Sequence, residues 1–112
     1  MIIKEMLEER NMKYGNFTEH AQITQAIKRI MKNSQNWDTM PMDMHEALDM
    51  IAHKIGRILN GDYNYIDSWQ DIAGYVILII KRLKSELQDV KFNGTFHKRI
   101  KDEPQPWIET KE

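Results

Sequence analysis

The sequence predicts an all-α domain, a bundle of about four helices with one apolar helix at its centre, assembled into an oligomer. Three observations predict it. Apolar residues recur at helical spacing in four segments, and no segment alternates as a half-buried strand. The stretch DSWQDIAGYVILII, Asp67–Ile80, is apolar nearly all round after Asp71, the pattern of a helix covered on every side. Finally, 112 residues suffice for one core but bury a limited fraction of their surface. A fully apolar helix in so small a chain calls for cover from further copies, and eight methionines offer adaptable contacts for it.

Ile2 to about Asn11 reads as a short first helix. MKYGNF interrupts it, with Gly15 and Asn16 as turn residues. Thr18 is the expected N-cap of a second helix, Glu19 to about Lys32, whose apolar stripe is Ile23, Ala26, Ile27, Ile30 and Met31. NSQNWDTMPMD is a loop. Asp43 and Glu46 have the spacing of a capping box, which opens a third helix reaching about Leu59. Leu48, Ile51, Ile55, Ile58 and Leu59 form its expected buried face. Asn60-Gly61-Asp62 stops it, with Gly61 suited to a left-handed C-cap. The fourth helix starts near Asp67 and reaches about Asp89. Residues 1–93 thus form the helical domain. Residues 94–112, with two prolines and many charges, form an extended tail whose Trp107 and Ile108 are placed to dock on a neighbour.

The formal net charge is −1, so nonspecific nucleic-acid binding is not expected. The absence of cysteine excludes disulfides and thiolate metal sites. The longest apolar run, Ile72–Ile80, falls far short of the roughly 20 residues of a membrane span. Met1–Arg10 is acidic and amphipathic, unlike a signal peptide. These features point to a cytoplasmic protein with no membrane partner.

Four acids carry the candidate chemistry. Glu46 and Asp49 are three apart on the third helix; Asp67 and Asp71 are four apart on the fourth. Carboxylates on facing helices are a recurring way to hold a metal in a bundle, and Mg²⁺ takes such oxygens together with substrate phosphates. Lys54 and Arg57 are then candidate phosphate contacts. The structural reading stands beside this one. Asp67 caps a helix, Glu46 completes a capping box, Asp49 pairs with His53 or Lys54, and Asp71 pairs with Lys54 or Arg57. An antiparallel third and fourth helix would bring Asp67 near Lys54 and Arg57, leaving Glu46 opposite the later half of the fourth helix.

KYGNF, HEALDMIAHKIGRILNGD and DSWQDIAGYVIL, spanning Tyr14 to Leu78, resemble a family of small phage and prophage proteins. That family is in turn distantly similar to the all-α nucleotide pyrophosphohydrolases of the MazG and dimeric dUTPase group. The resemblance implies a Mg²⁺-dependent pyrophosphohydrolase of nucleoside triphosphates, homo-oligomeric, working in the cytoplasm of a bacterial host. Glu46 and Asp49 match the group's E-x-x-E with Asp in second place. Asp71 matches the Asp of its E-x-x-D, while Ser68 stands in the Glu position and Asp67 beside it. That departure opens an alternative: a non-catalytic sponge that sequesters a cyclic nucleotide immune signal. Tyr14, Phe17, Trp37 and Trp69 would stack on its bases, and Lys54 and Arg57 would face its phosphates. A third reading is a helical protein-interaction module, built on the methionine-rich loop and the Trp107 tail.

Overall fold

Helices account for nearly all the regular structure. The computed structural model describes residues 2–92, with side chains through residue 87. The tail over 94–112, with Trp107 and Ile108, lies outside the described residues. Four α-helices follow in order: α1 Ile3–Tyr14, α2 Phe17–Lys32, α3 Met42–Asn60 and α4 Ile66–Phe92. A short 3₁₀ turn, Trp37–Thr39, lies between α2 and α3. No strand occurs among the described residues, so the chain is all-α. None of its described helices is long and apolar enough to cross a membrane.

The helix ends differ in detail from the expected ones. α1 continues to Tyr14, and the chain reverses at Gly15, whose φ of 81° suits a residue without a Cβ. α2 therefore starts earlier than Thr18 would allow. Its N-cap is Asn16, whose side-chain oxygen accepts from the Glu19 backbone N–H at 3.1 Å. α3 begins directly after Pro41, which places Asp43 inside its first turn. Asp43 still complements the positive end of the helix there, without being its cap. Gly61 is not left-handed, with φ −128°. Its role is steric: a Cβ at Gly61 would overlap the backbone of Lys13 and Tyr14.

α2 and α3 pack closely over small side chains. The buried residues are His20 and Thr24 on α2, with Ala47, Ala52, Gly56 and Ile58 on α3. The expected stripe is thus rotated. Ile30 and Leu59 are exposed, and Leu48, Ile51 and Ile55 are only half-buried. Close approach explains the rotation. A Cβ at Gly56 would overlap Thr24 Oγ1 and lie 3.0 Å from His20 Cδ2, so the seam closes only over a glycine.

A second interlock ties α1 to the end of α3. Asn60 donates from Nδ2 to the carbonyls of Tyr14 at 3.1 Å and Asn16 at 2.9 Å. The Asp62 N–H donates to the Lys13 carbonyl at 2.8 Å. A Cβ at Gly15 would overlap the Asn60 carbonyl. The α1–α2 turn and the α3–α4 turn therefore hold each other through hydrogen bonds accepted by backbone carbonyls.

α4 carries the apolar run that the sequence marks as a covered helix. Ser68 is its one buried side chain among the described residues. Val76, Leu78 and Leu83 are exposed, and a Cβ at Gly74 would meet nothing within 4 Å. One compact unit ends at Tyr75 and a second begins at Val76. In the second, Arg82 pairs with Glu86 at 3.0 Å, one turn along the helix.

The Gly56→Ala variant is expected to lose about 1–3 kcal/mol of stability, the usual cost of overpacking a close contact. Thr24→Ala in the same chain should recover part of that loss, so the two changes are non-additive. Urea unfolding of the two single variants and the double variant measures the coupling.

Candidate functional site

The end of α3, the start of α2 and one face of α1 line a groove of about 860 Å³, within the size range of small-molecule sites. Ile3, Leu7 and Phe17 make its apolar wall. Lys4, Glu8, Arg10 and Arg57 bring charge to it, and Tyr14, His20 and His53 line it as well.

Tyr14 organises the charged end. The Arg57 guanidinium lies 3.9 Å from the Tyr14 ring centroid, and that of Arg10 lies 5.7 Å from it. Arg10 and Tyr14 share one face of α1 because they are four apart. Arg57 reaches them because the Asn60 interlock pins the Tyr14 backbone beside the last turn of α3. Stacking on a tyrosine stabilises a guanidinium by about 0.5–2 kcal/mol. It leaves the N–H fork, which points out in the plane of the group, available to an anion. Neither Arg10 nor Arg57 has a carboxylate within salt-bridge distance among the described residues. Tyr65 packs edge-on against Tyr14 at 6.0 Å, and its hydrogen bond to Asp67 raises the phenol pKa.

Two histidines form the floor. His20 is buried, and its Nε2 lies 3.1 Å from the His53 carbonyl and 3.3 Å from Thr24 Oγ1. A carbonyl only accepts, so the ring proton resides on Nε2. The His53 ring meets that of His20 edge-on at 4.7 Å. Burial and the neighbouring Arg57, His20, Lys54 and Lys28 lower the His53 pKa from 6.5 to about 4. His53 is therefore a neutral hydrogen-bonding group on the groove wall near pH 7.

The sequence-predicted residues divide sharply. Tyr14, Phe17 and Arg57 meet at the groove. Lys54 does not; its ammonium pairs with Asp71 at 2.9 Å. Asp71 is 48% exposed in that pair, which places its contribution toward the roughly 1 kcal/mol of a surface ion pair. Trp37 stacks on His45 at 4.1 Å, and His45 Nε2 donates to the Trp37 carbonyl at 2.6 Å, so both are occupied in fixing the loop before α3. Trp69 donates to the Tyr63 carbonyl at 2.9 Å, away from the groove lining.

The four acids are not gathered. Asp71 holds Lys54, Asp67 lies in the first turn of α4 bonded to Tyr65, and Glu46 is exposed. Asp49 has one carboxylate oxygen buried without a hydrogen-bond partner, which is the single feature a cation would satisfy. Among the described residues no three His, Asp or Glu side chains are grouped so as to hold a metal ion. One chain's described residues thus supply no cluster of three such donors, whereas Mg²⁺ takes one or two carboxylates together with substrate phosphates.

Arg10, His20, Lys4 and Glu8 are groove residues that the motifs do not mark. A faint signal exists for two of them. Arg10 precedes Tyr14 by four residues, and His20 and Thr24 lie one turn apart where a buried stripe would otherwise be apolar. Comparison of the chain with protein-family models, curated proteins and solved structures returns no match. The functional reading accordingly rests on the groove itself.

Acid should weaken the fold through His53. The unfolded chain takes up the proton near pH 6.5 and the folded chain near pH 4, so the unfolded state binds more protons between those values. Stability present above pH 6.5 is lost as the pH falls toward 4. For a half-buried, partly screened group the loss should be on the order of 1–2 kcal/mol. His53→Gln should remove that part of the dependence, as read by urea unfolding at neutral pH and near pH 4.5.

Proposed function

We propose that this protein binds a nucleotide in the groove formed by α1, the start of α2 and the end of α3, and retains it without cleaving it. The observation that carries the reading is the pair of arginines converging on Tyr14 without a carboxylate partner among the described residues. Two like charges held at one ring are mutually unfavourable, and negative charge on a bound phosphate offsets the repulsion. Beside them Phe17 is 76% exposed, an unshielded aromatic face of the kind on which a base stacks. Neutral His53 adds a hydrogen-bonding group suited to a base edge or a sugar hydroxyl.

Retention is favoured over Mg²⁺-dependent pyrophosphate release because the cations and aromatics converge while Glu46, Asp49, Asp67 and Asp71 do not. This is the chemistry of a nucleotide sponge, including one for a cyclic nucleotide signal. Isothermal titration with adenosine mono- and triphosphate and a cyclic nucleotide, with and without Mg²⁺, tests it. Binding without metal is expected, and Arg57→Ala should weaken it roughly 10- to 100-fold, the worth of charge-assisted hydrogen bonds. No binding by any of the three would overturn the reading, and Mg²⁺-dependent release of pyrophosphate would restore the hydrolase.

The same reading has the chain working as a homo-oligomer. Val76, Leu78 and Leu83 along α4, and Trp69 near its start, are exposed apolar groups of the kind a second copy covers. Sedimentation at micromolar concentration should show a species larger than the monomer, and Leu78→Glu should shift it toward monomer.

A further inference from the structure

We propose that the groove takes a segment of a second copy of this chain, residues 102–112. Trp107 and Ile108 would cover its apolar wall, and the flanking acids would meet its arginines. The inference stands apart from the nucleotide reading and is tested without a nucleotide.

Ile3, Leu7 and Phe17 line the groove, and each is more than half exposed. Ile3 and Leu7, four apart, lie on one face of α1. Arg10 and Arg57 converge on Tyr14 with no carboxylate within salt-bridge distance among the described residues. Such a groove suits a ligand that is apolar at one point and anionic close by. Residues 102–112 have that composition. Trp107 and Ile108 stand between Asp102 and Glu103 on one side and Glu109 and Glu112 on the other, with Lys111 the one cation. The groove lining is of opposite sign, with Lys4, Arg10 and Arg57 against Glu8 alone, so the two surfaces are complementary in charge. Tryptophan and arginine are also the side chains that most often anchor an interface. Pro104 and Pro106 restrict the backbone before it binds, and grooves lined by aromatic side chains commonly take such segments in extended form. The lengths agree as well. Glu103 precedes Trp107 by four residues, about 12 Å of extended backbone, and Arg10 follows Ile3 by seven residues of helix, about 10 Å. Trp107 against Ile3 and Leu7 therefore leaves Glu103 within reach of Arg10.

The test uses a fluorescent peptide of residues 102–112, capped at both ends to remove terminal charges, and the full chain carrying Trp107→Ala. That variant lacks the anchor of its own segment, so its groove is open to the peptide. Fluorescence anisotropy should show saturable binding in the micromolar range, several-fold tighter than to the unaltered chain at the same concentration. Trp107→Ala in the peptide should weaken binding about tenfold or more, and Glu103→Gln several-fold. Phe17→Ala and Arg57→Ala in the chain should each weaken it several-fold. Phe17 is exposed, so its variant should keep the circular dichroism spectrum of the unaltered chain. Absence of saturable binding would overturn the inference. So would binding that neither Phe17→Ala nor Arg57→Ala moves, because the peptide would then sit elsewhere. Equal affinity for the unaltered and Trp107→Ala chains would also overturn it, since the groove would then be empty of the segment. Peptide binding by a chain that binds no nucleotide would leave this inference standing and remove the nucleotide reading alone.

Discussion

The close approach of α2 and α3 at Gly56 is the constraint on which the rest of the arrangement depends. With no side chain there, Thr24 and His20 come against the α3 backbone, and His20 donates to the His53 carbonyl. A hydrogen bond to a mid-helix carbonyl fixes both the rotation and the axial register of the two helices. His53 and Arg57, one turn apart on α3, are thereby presented to the same groove. A larger residue at position 56 would separate the helices and take the hydrogen bond, and with it the groove floor, out of reach.

The other end of the groove depends on backbone groups. Asn60 bonds the carbonyls of Tyr14 and Asn16, and Gly15 and Gly61 remove the side chains that would block the approach. Tyr14 is therefore held where Arg57 can stack on it. Rigid support at Tyr14 and loose packing of the rest of α1, none of whose side chains is buried, coexist in one helix. Binding sites commonly combine these properties: an anchored contact fixes geometry, and a lightly packed wall accommodates the ligand.

The core of one chain is thin. Its buried apolar residues are Ala47, Ala52 and Ile58, and no large side chain is fully buried among the described residues. Small residues allow close helix contact but contribute little apolar area each. The large aliphatics of α3 and α4 stay partly in water instead.

Helical periodicity alone determined the fold class, the four helices and the loop positions to within a few residues, because an apolar face at 3.6-residue spacing is a local property. Tyr14, Phe17 and Arg57, candidates in the sequence, line one groove in the fold, but nothing local to the turn at Gly15 marks Arg57 as their neighbour. Which face each helix buries was not legible. His20, Thr24 and Gly56 won the α2–α3 seam over Ile23, Ile30 and Leu59 because backbone proximity, a hydrogen bond and a missing Cβ outweighed bulk hydrophobicity. How the acids combine was not legible for a related reason. Spacing places Glu46 with Asp49 and Asp67 with Asp71, but only the register between helices decides whether the pairs meet. In this chain that register gives Asp71 to Lys54 and leaves Arg57 to Tyr14. Partner choice among charges is set by distances across the fold, and no pattern within one helix encodes them.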